Sequence, residues 1–406
     1  MHDSDLTPTT LGELLSVPLH EIANVDIARA NLICASGLPG TEDLEIEQHI
    51  RRLDIWAERI AAKTTQFLPV FHNNPATFDN SEPRWRLLAL ARVLADEYAV
   101  GYHMERIHSH PDWSDSKDLF IHGITGQRRT GTCPSLPVLV VGLGRRLGYP
   151  ICLSHTVGHV FSRWDGNDHE NPAWRDRFNI EFSGDVSFHD DNHYYEFPVE
   201  WTEQDRKAHQ AGSSEYLRSF TPSQELAHSL FQRAICLEAI GRYHESAILC
   251  QTCIRYDSVW GGYLEFAKNA LRGQSERVMK SMGFDPSEFR HFFFRDRVVH
   301  PEWRMHLMRA TSPMRIDAAN NPMNVTYHSP GMTLLTHNHQ HFQLQIGPIH
   351  PPPTNAEAIA HLILVKTCEG TQIAPSIDLL LPQFPEREVD PYAKLRDATG
   401  KIQFAN

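Results

Sequence analysis

The stretch that decides the fold reads Gly131-Thr132-Cys133-Pro134-Ser135-Leu136-Pro137, runs on through Val138-Leu139-Val140-Val141, and closes with Arg145-Arg146-Leu147-Gly148-Tyr149-Pro150. Proline is well tolerated in the first turn of a helix, and the following residues are apolar, so a helix is predicted from about Pro134 to Leu147. Thr132 is the residue type that caps such a helix. Cys133 would then lie at the positive end of the helix dipole, a setting that favours thiolate over thiol. A nucleophilic cysteine needs this kind of help, and it needs a base.

Working downstream, three short strand-like segments follow: Ile151–Ser154, His159–Trp164 and Phe178–Phe182. A polar loop, 165–177, joins the last two, which predicts an antiparallel hairpin. His159 follows Gly158 and opens its strand, where it can face a helix terminus. Asn179 and Glu181 stand two residues apart on the next strand and so share a face. Either one can hold the far nitrogen of the imidazole and set its tautomer. The backbone N–H of Cys133 is a natural oxyanion donor.

Cys133, its helix ending in Arg145-Arg146-Leu147-Gly148-Tyr149-Pro150, then Gly158-His159-Val160-Phe161 and Phe178-Asn179-Ile180-Glu181, resemble the transglutaminase-like superfamily. More narrowly, the chain is similar to its bacterial SirB-type branch, in which helices precede the core and tetratricopeptide-like helices follow it. The resemblance covers about 120–200 and, more loosely, 40–275. It implies an α+β core with a papain-like Cys-His-acid triad: Cys133 as nucleophile, His159 as base, Glu181 as third member. The family usually has Asp at the last position, so Glu181 is a departure, and Asn179 is the fallback because papain-like enzymes use an amide there. Gln127 is the matching side-chain amide for an oxyanion hole. The implied chemistry is thiolate attack on an amide carbonyl, with water or an amine as acceptor. A peptide or protein is the implied substrate, and no cofactor is expected for this chemistry.

The rest of the chain is organised around that core. Residues 1–110 read as several helices, including an amphipathic one over 43–67 and another beginning at Pro83. The core is placed at 111–201, helices at 215–275, and an unassigned region of mixed α/β character at 276–406. Gly241-Arg242-Tyr243-His244-Glu245-Ser246-Ala247 resembles the turn of a tetratricopeptide repeat, and a lone repeat needs neighbours to bury its faces. These helices, with the aromatic patch Phe289, Phe292, Phe293 and Phe294, carry the rival reading: an inactive interaction or regulatory protein that takes a protein partner. A second rival is a metal-binding protein. His337, His339 and His341 would share one face of a strand, and imidazoles suit a first-row transition metal.

Composition bounds these readings. The 406 residues imply two or three domains, and 41% hydrophobic with 22% charged residues is a soluble globular balance. A net charge of -12 argues against nucleic-acid partners, which need concentrated Lys and Arg. Seven scattered cysteines do not make a disulfide scaffold and fit a reducing compartment. No apolar stretch is long enough to span a membrane, and the start lacks a secretory pattern, so a cytoplasmic protein is expected. The 25 histidines are in excess of what any of these readings uses.

Overall fold

The computed structural model describes residues 7–107, 109–267, 269, 270 and 273, together with the backbone of four strands at 332–337, 340–346, 362–366 and 371–373. These residues fall into two compact units. The first holds the chain up to Cys236 and the segment Tyr256–Trp260; the second holds Leu237–Arg255 and, from Gly261, the remaining described chain.

The first unit opens with helices. α1 (Leu11–Ser16) is capped by Thr10, whose hydroxyl accepts from the Glu13 N–H at 3.2 Å. α2 (Ile27–Ala35) is capped by Asp26 and is buried on every side, the pattern of a helix inside a core. α3 (Ile46–Asn73) is amphipathic: His49, Leu53, Trp56, Ala57 and Ile60 are buried at three- and four-residue steps. α4 (Glu82–Arg92) starts with the Ser81 cap and Pro83 in its first turn, as the sequence indicates. Next come β1 (Gly101–Tyr102), the short α5 (Ser116–Leu119) and α6 (His122–Thr125), and β2 (Thr130–Gly131), which pairs in parallel with β1.

α7 (Leu136–Arg146) is the centre of the unit, with Leu136 to Gly144 all buried. It packs against α2 and α3 and against strands β3 (Ile151–Thr156), β4 (His159–Asp165) and β5 (Arg177–Phe182). With β6 (Val186–His189) these form an antiparallel sheet in the order β3-β4-β5-β6. The predicted hairpin is present, with Ser162 opposite Ile180 and Arg163 opposite Asn179. Alternation sorts the faces. Val160, Trp164, Phe178 and Ile180 join the core that contains α7. By the same alternation His159, Phe161 and Arg163 share the opposite face with Asn179 and Glu181. A 3-10 turn at Asp191–Tyr195 covers that face, since the buried Tyr194 ring stacks on Phe161 at 4.0 Å.

α8 (Glu203–Gln210) carries a capping box between Thr202 and Asp205. α9 (Pro222–Ala239) and α10 (Tyr243–Tyr256) flank the predicted turn, where Gly241 adopts φ +79°. In the second unit, β7 (Met332–His337), β8 (Gln340–Ile346), β9 (Leu362–Lys366) and β10 (Thr371–Ile373) form an antiparallel sheet in the order β10-β9-β8-β7. The architecture is α+β. Among the described residues no helix is long and apolar enough to cross a membrane. The aromatic patch at Phe289–Phe294 lies outside the described residues.

Candidate active site

Cys133 sits in a turn ahead of α7 rather than inside its first turn. The Leu136 N–H bonds back to the Thr132 carbonyl at 3.0 Å, but Pro137 has no N–H to return to the Cys133 carbonyl, so the regular ladder starts later. Thr132 is not the helix cap. Its hydroxyl donates to the Asp118 carbonyl at 2.6 Å, and the Ser135 hydroxyl reaches the same oxygen at 3.2 Å. Asp118 is buried, and its carboxylate accepts the Asp112 N–H at 2.6 Å and pairs with Arg106 and Arg128. On the other side of Cys133, the buried Gln232 of α9 donates to the Pro134 carbonyl at 2.7 Å. Gly131 completes the turn: a Cβ there would lie 2.6 Å from Ile124 and 2.9 Å from the Ser135 hydroxyl. The Cys133 turn is thus held from both flanks. Cys133 itself is half-buried, while the other five described cysteines are buried.

The β3–β4 hairpin turns at Gly158, whose φ of +74° favours glycine, and this places His159 at the start of β4. The His159 Nε2 lies 2.8 Å from the Glu181 Oε1, and the Cys133 sulfur acts on the same ring, favouring its charged form. With Nε2 taken by Glu181, Nδ1 is the nitrogen left for sulfur. Burial opposes charge on this imidazole, but the Glu181 carboxylate and the Cys133 sulfur outweigh it and raise its pKa to about 10. Burial likewise works against the Glu181 carboxylate, and the His159 imidazolium with the Tyr194 hydroxyl overcomes it, leaving the pKa lowered. Tyr194 donates to the Glu181 Oε1 at 2.7 Å.

Asn179 does not hold the histidine. It is buried one step along the same face, with its Oδ1 accepting from Arg163 at 2.7 Å and its Nδ2 donating to Asp191 at 2.9 Å. Arg163 is fully buried and spans Asn179, Asp191 and the Leu217 carbonyl. That platform consumes the amide and leaves Glu181 as the partner. Gln127 is exposed in the bend after α6. The group on the side of the Cys133 backbone N–H is the Tyr102 hydroxyl, from β1. Sequence reading missed Tyr102, Tyr194 and Asp118. Their roles come from tertiary neighbours, and the one local signal was a tyrosine pair, Tyr194-Tyr195, in an otherwise polar turn.

The three C-terminal histidines do not share one strand. His337 ends β7 opposite Gln340, while His341 lies on β8 opposite Thr336. His339 lies outside the described residues. Among the described residues no group of three or more His, Cys, Asp or Glu is placed to hold a metal ion. His155 has its Nε2 3.0 Å from the Glu215 carbonyl and lies among Tyr216, Phe220 and Trp260.

No protein-family model, no curated protein and no solved structure matches the chain.

Proposed function

We propose that the chain is a transglutaminase-like, papain-like cysteine hydrolase or acyltransferase that acts on amide bonds through Cys133, His159 and Glu181. The observation that carries this reading is one imidazole held by a carboxylate at 2.8 Å and within the influence of a half-buried thiol. Nucleophile, base and orienting acid in that order form the arrangement needed for covalent acyl transfer.

In this mechanism His159 takes the thiol proton, and the Cys133 sulfur attacks the amide carbonyl. A C–S bond forms and the C=O π pair moves onto oxygen. Collapse returns that pair, breaks the C–N bond, and His159 delivers its proton to the departing amine. A water molecule or an amine then attacks the thioester, with His159 again as base, and the thiol is restored. The raised pKa of His159 suits it to the acid half of this cycle. Glu181 fixes the ring and offsets its charge.

The test is iodoacetamide labelling against pH with residue-resolved mass spectrometry, on the wild type and on His159→Ala. Cys34 and Cys152 serve as internal references, since burial raises their pKa values to about 12 and about 11. Cys133 is expected to label at least tenfold faster than either near neutral pH, and His159→Ala is expected to remove most of the advantage. Labelling of Cys133 at the rate of the buried thiols would sink the proposal.

A further inference from the structure

Tyr102 stands beside the turn that carries Cys133. Three backbone links fix it. The Tyr102 N–H donates to the Ser183 carbonyl at 2.9 Å, the neighbouring His103 N–H donates to the Gly131 carbonyl at 2.8 Å, and Tyr102 pairs in register with Gly131, two residues before Cys133. Its phenol oxygen is on the side of the Cys133 backbone N–H and within the electrostatic reach of Cys133, Asp118 and Glu181. The ring is partly buried and packs against the hydrophobic core. The phenol is therefore an O–H donor on the side of the Cys133 backbone N–H, in a site that also holds the Glu181 carboxylate, the His159 ring and the Asp118 carboxylate with its arginine partners.

Resting on the nucleophile reading above, we infer that Tyr102 is a catalytic residue whose hydroxyl, together with the Cys133 N–H, receives the oxyanion of the tetrahedral intermediate. As the C–S bond forms, charge moves from sulfur to the carbonyl oxygen. A phenol O–H on the side of the Cys133 N–H can follow that charge by rotating about its C–O bond, without backbone movement. Donors placed this way act where charge develops, and removal of one typically costs 10²–10³-fold in rate. When the intermediate collapses, the π pair re-forms C=O, the hydroxyl keeps its proton throughout, and only His159 transfers one.

Two probes separate this role from a structural one. Iodoacetamide alkylates sulfur by direct displacement and forms no oxyanion; p-nitrophenyl acetate acylates sulfur through a tetrahedral oxyanion. Rates of both reactions at Cys133 are measured for the wild type and Tyr102→Phe. The variant is expected to slow acylation by about a hundredfold and to leave alkylation within about threefold. Retained alkylation also reports that the site still folds. Equal loss in both reactions would mean that Tyr102 acts on the sulfur or the fold, and unchanged or faster acylation would mean that it only fills the site; either result overturns the proposal. A wild-type Cys133 inert to both probes would refute the nucleophile reading itself, and this proposal with it.

Discussion

At the scale of the residue, the site is an exercise in shared charge. Glu181 is buried beside His159 and accepts hydrogen bonds from that ring and from Tyr194. The linkage to stability has opposite signs at the two ends of the pH range. His159 is raised to about 10, so its contribution is fully present below about pH 6.5 and is lost as pH rises toward 10. Glu181 is lowered, so its contribution is present above its ordinary value and is lost as pH falls through the folded one. Glu181→Gln removes the largest influence that favours charge on His159 while keeping a similar shape. The His159 ring, followed by nitrogen-detected NMR, is therefore expected to titrate at lower pH in the variant by at least one unit, about 1.4 kcal/mol of lost interaction. An unchanged titration would show that Glu181 does not set the histidine's charge.

At the scale of the element, the sheet face matters more than any single strand. Arg163 on β4 ties Asn179 on β5 to Asp191 in the covering turn, at 2.7 Å and 2.5 Å, with no exposed side-chain surface of its own. Arg163→Met would leave Asp191 and Asn179 without their buried partner. Breaking such a pair from one side typically costs about 3–5 kcal/mol, and urea denaturation should read a loss of that order. A loss under about 1 kcal/mol would mean that the platform is incidental. The same element shows where sequence reading succeeds. β3, β4, β5 and α7 were legible because their periodicity and their Gly, Pro and Asn punctuation are local. The Thr132 cap was misread because its hydroxyl goes to Asp118, a partner that sequence spacing does not show. Asn179 and Glu181 could not be separated from sequence, since they share a face. Only the register that sets Asn179 opposite Arg163 decides between them. At His337–His341 the sequence predicts a continuous strand, yet His337 pairs with Gln340 and Thr336 with His341, so the two histidines stand on different strands.

At the scale of the whole molecule, the histidine excess acquires a physical consequence. Burial lowers His49 to about 4 and both His122 and His228 to about 3. His155, His189 and His209 are pushed the same way, also by burial first. His49 is held by Thr125 at 2.7 Å, His122 by Ser116 at 3.2 Å and His228 by Gln232 at 2.9 Å, so each is a neutral hydrogen-bonding core residue. The unfolded chain binds protons at these rings below about pH 6.5, whereas the folded chain does not until far lower. Stability should thus fall with acidity, by about 1.4 kcal/mol per pH unit for each fully shifted ring, or roughly 4 kcal/mol per unit for the three strongest. Glu225 opposes this, because burial raises its pKa and the folded state protonates it first. His159 does not add to the loss, since its contribution is complete below about pH 6.5. A domain with about 5–15 kcal/mol of total stability cannot absorb such a slope for long. Cooperative unfolding is expected near pH 5, before most carboxylates titrate. Calorimetry at pH 5.5 in two buffers of different ionisation enthalpy should detect uptake of roughly three protons on unfolding. No net uptake, or a denaturation midpoint equal at pH 6.5 and pH 5, would show that these rings are charged in the folded protein.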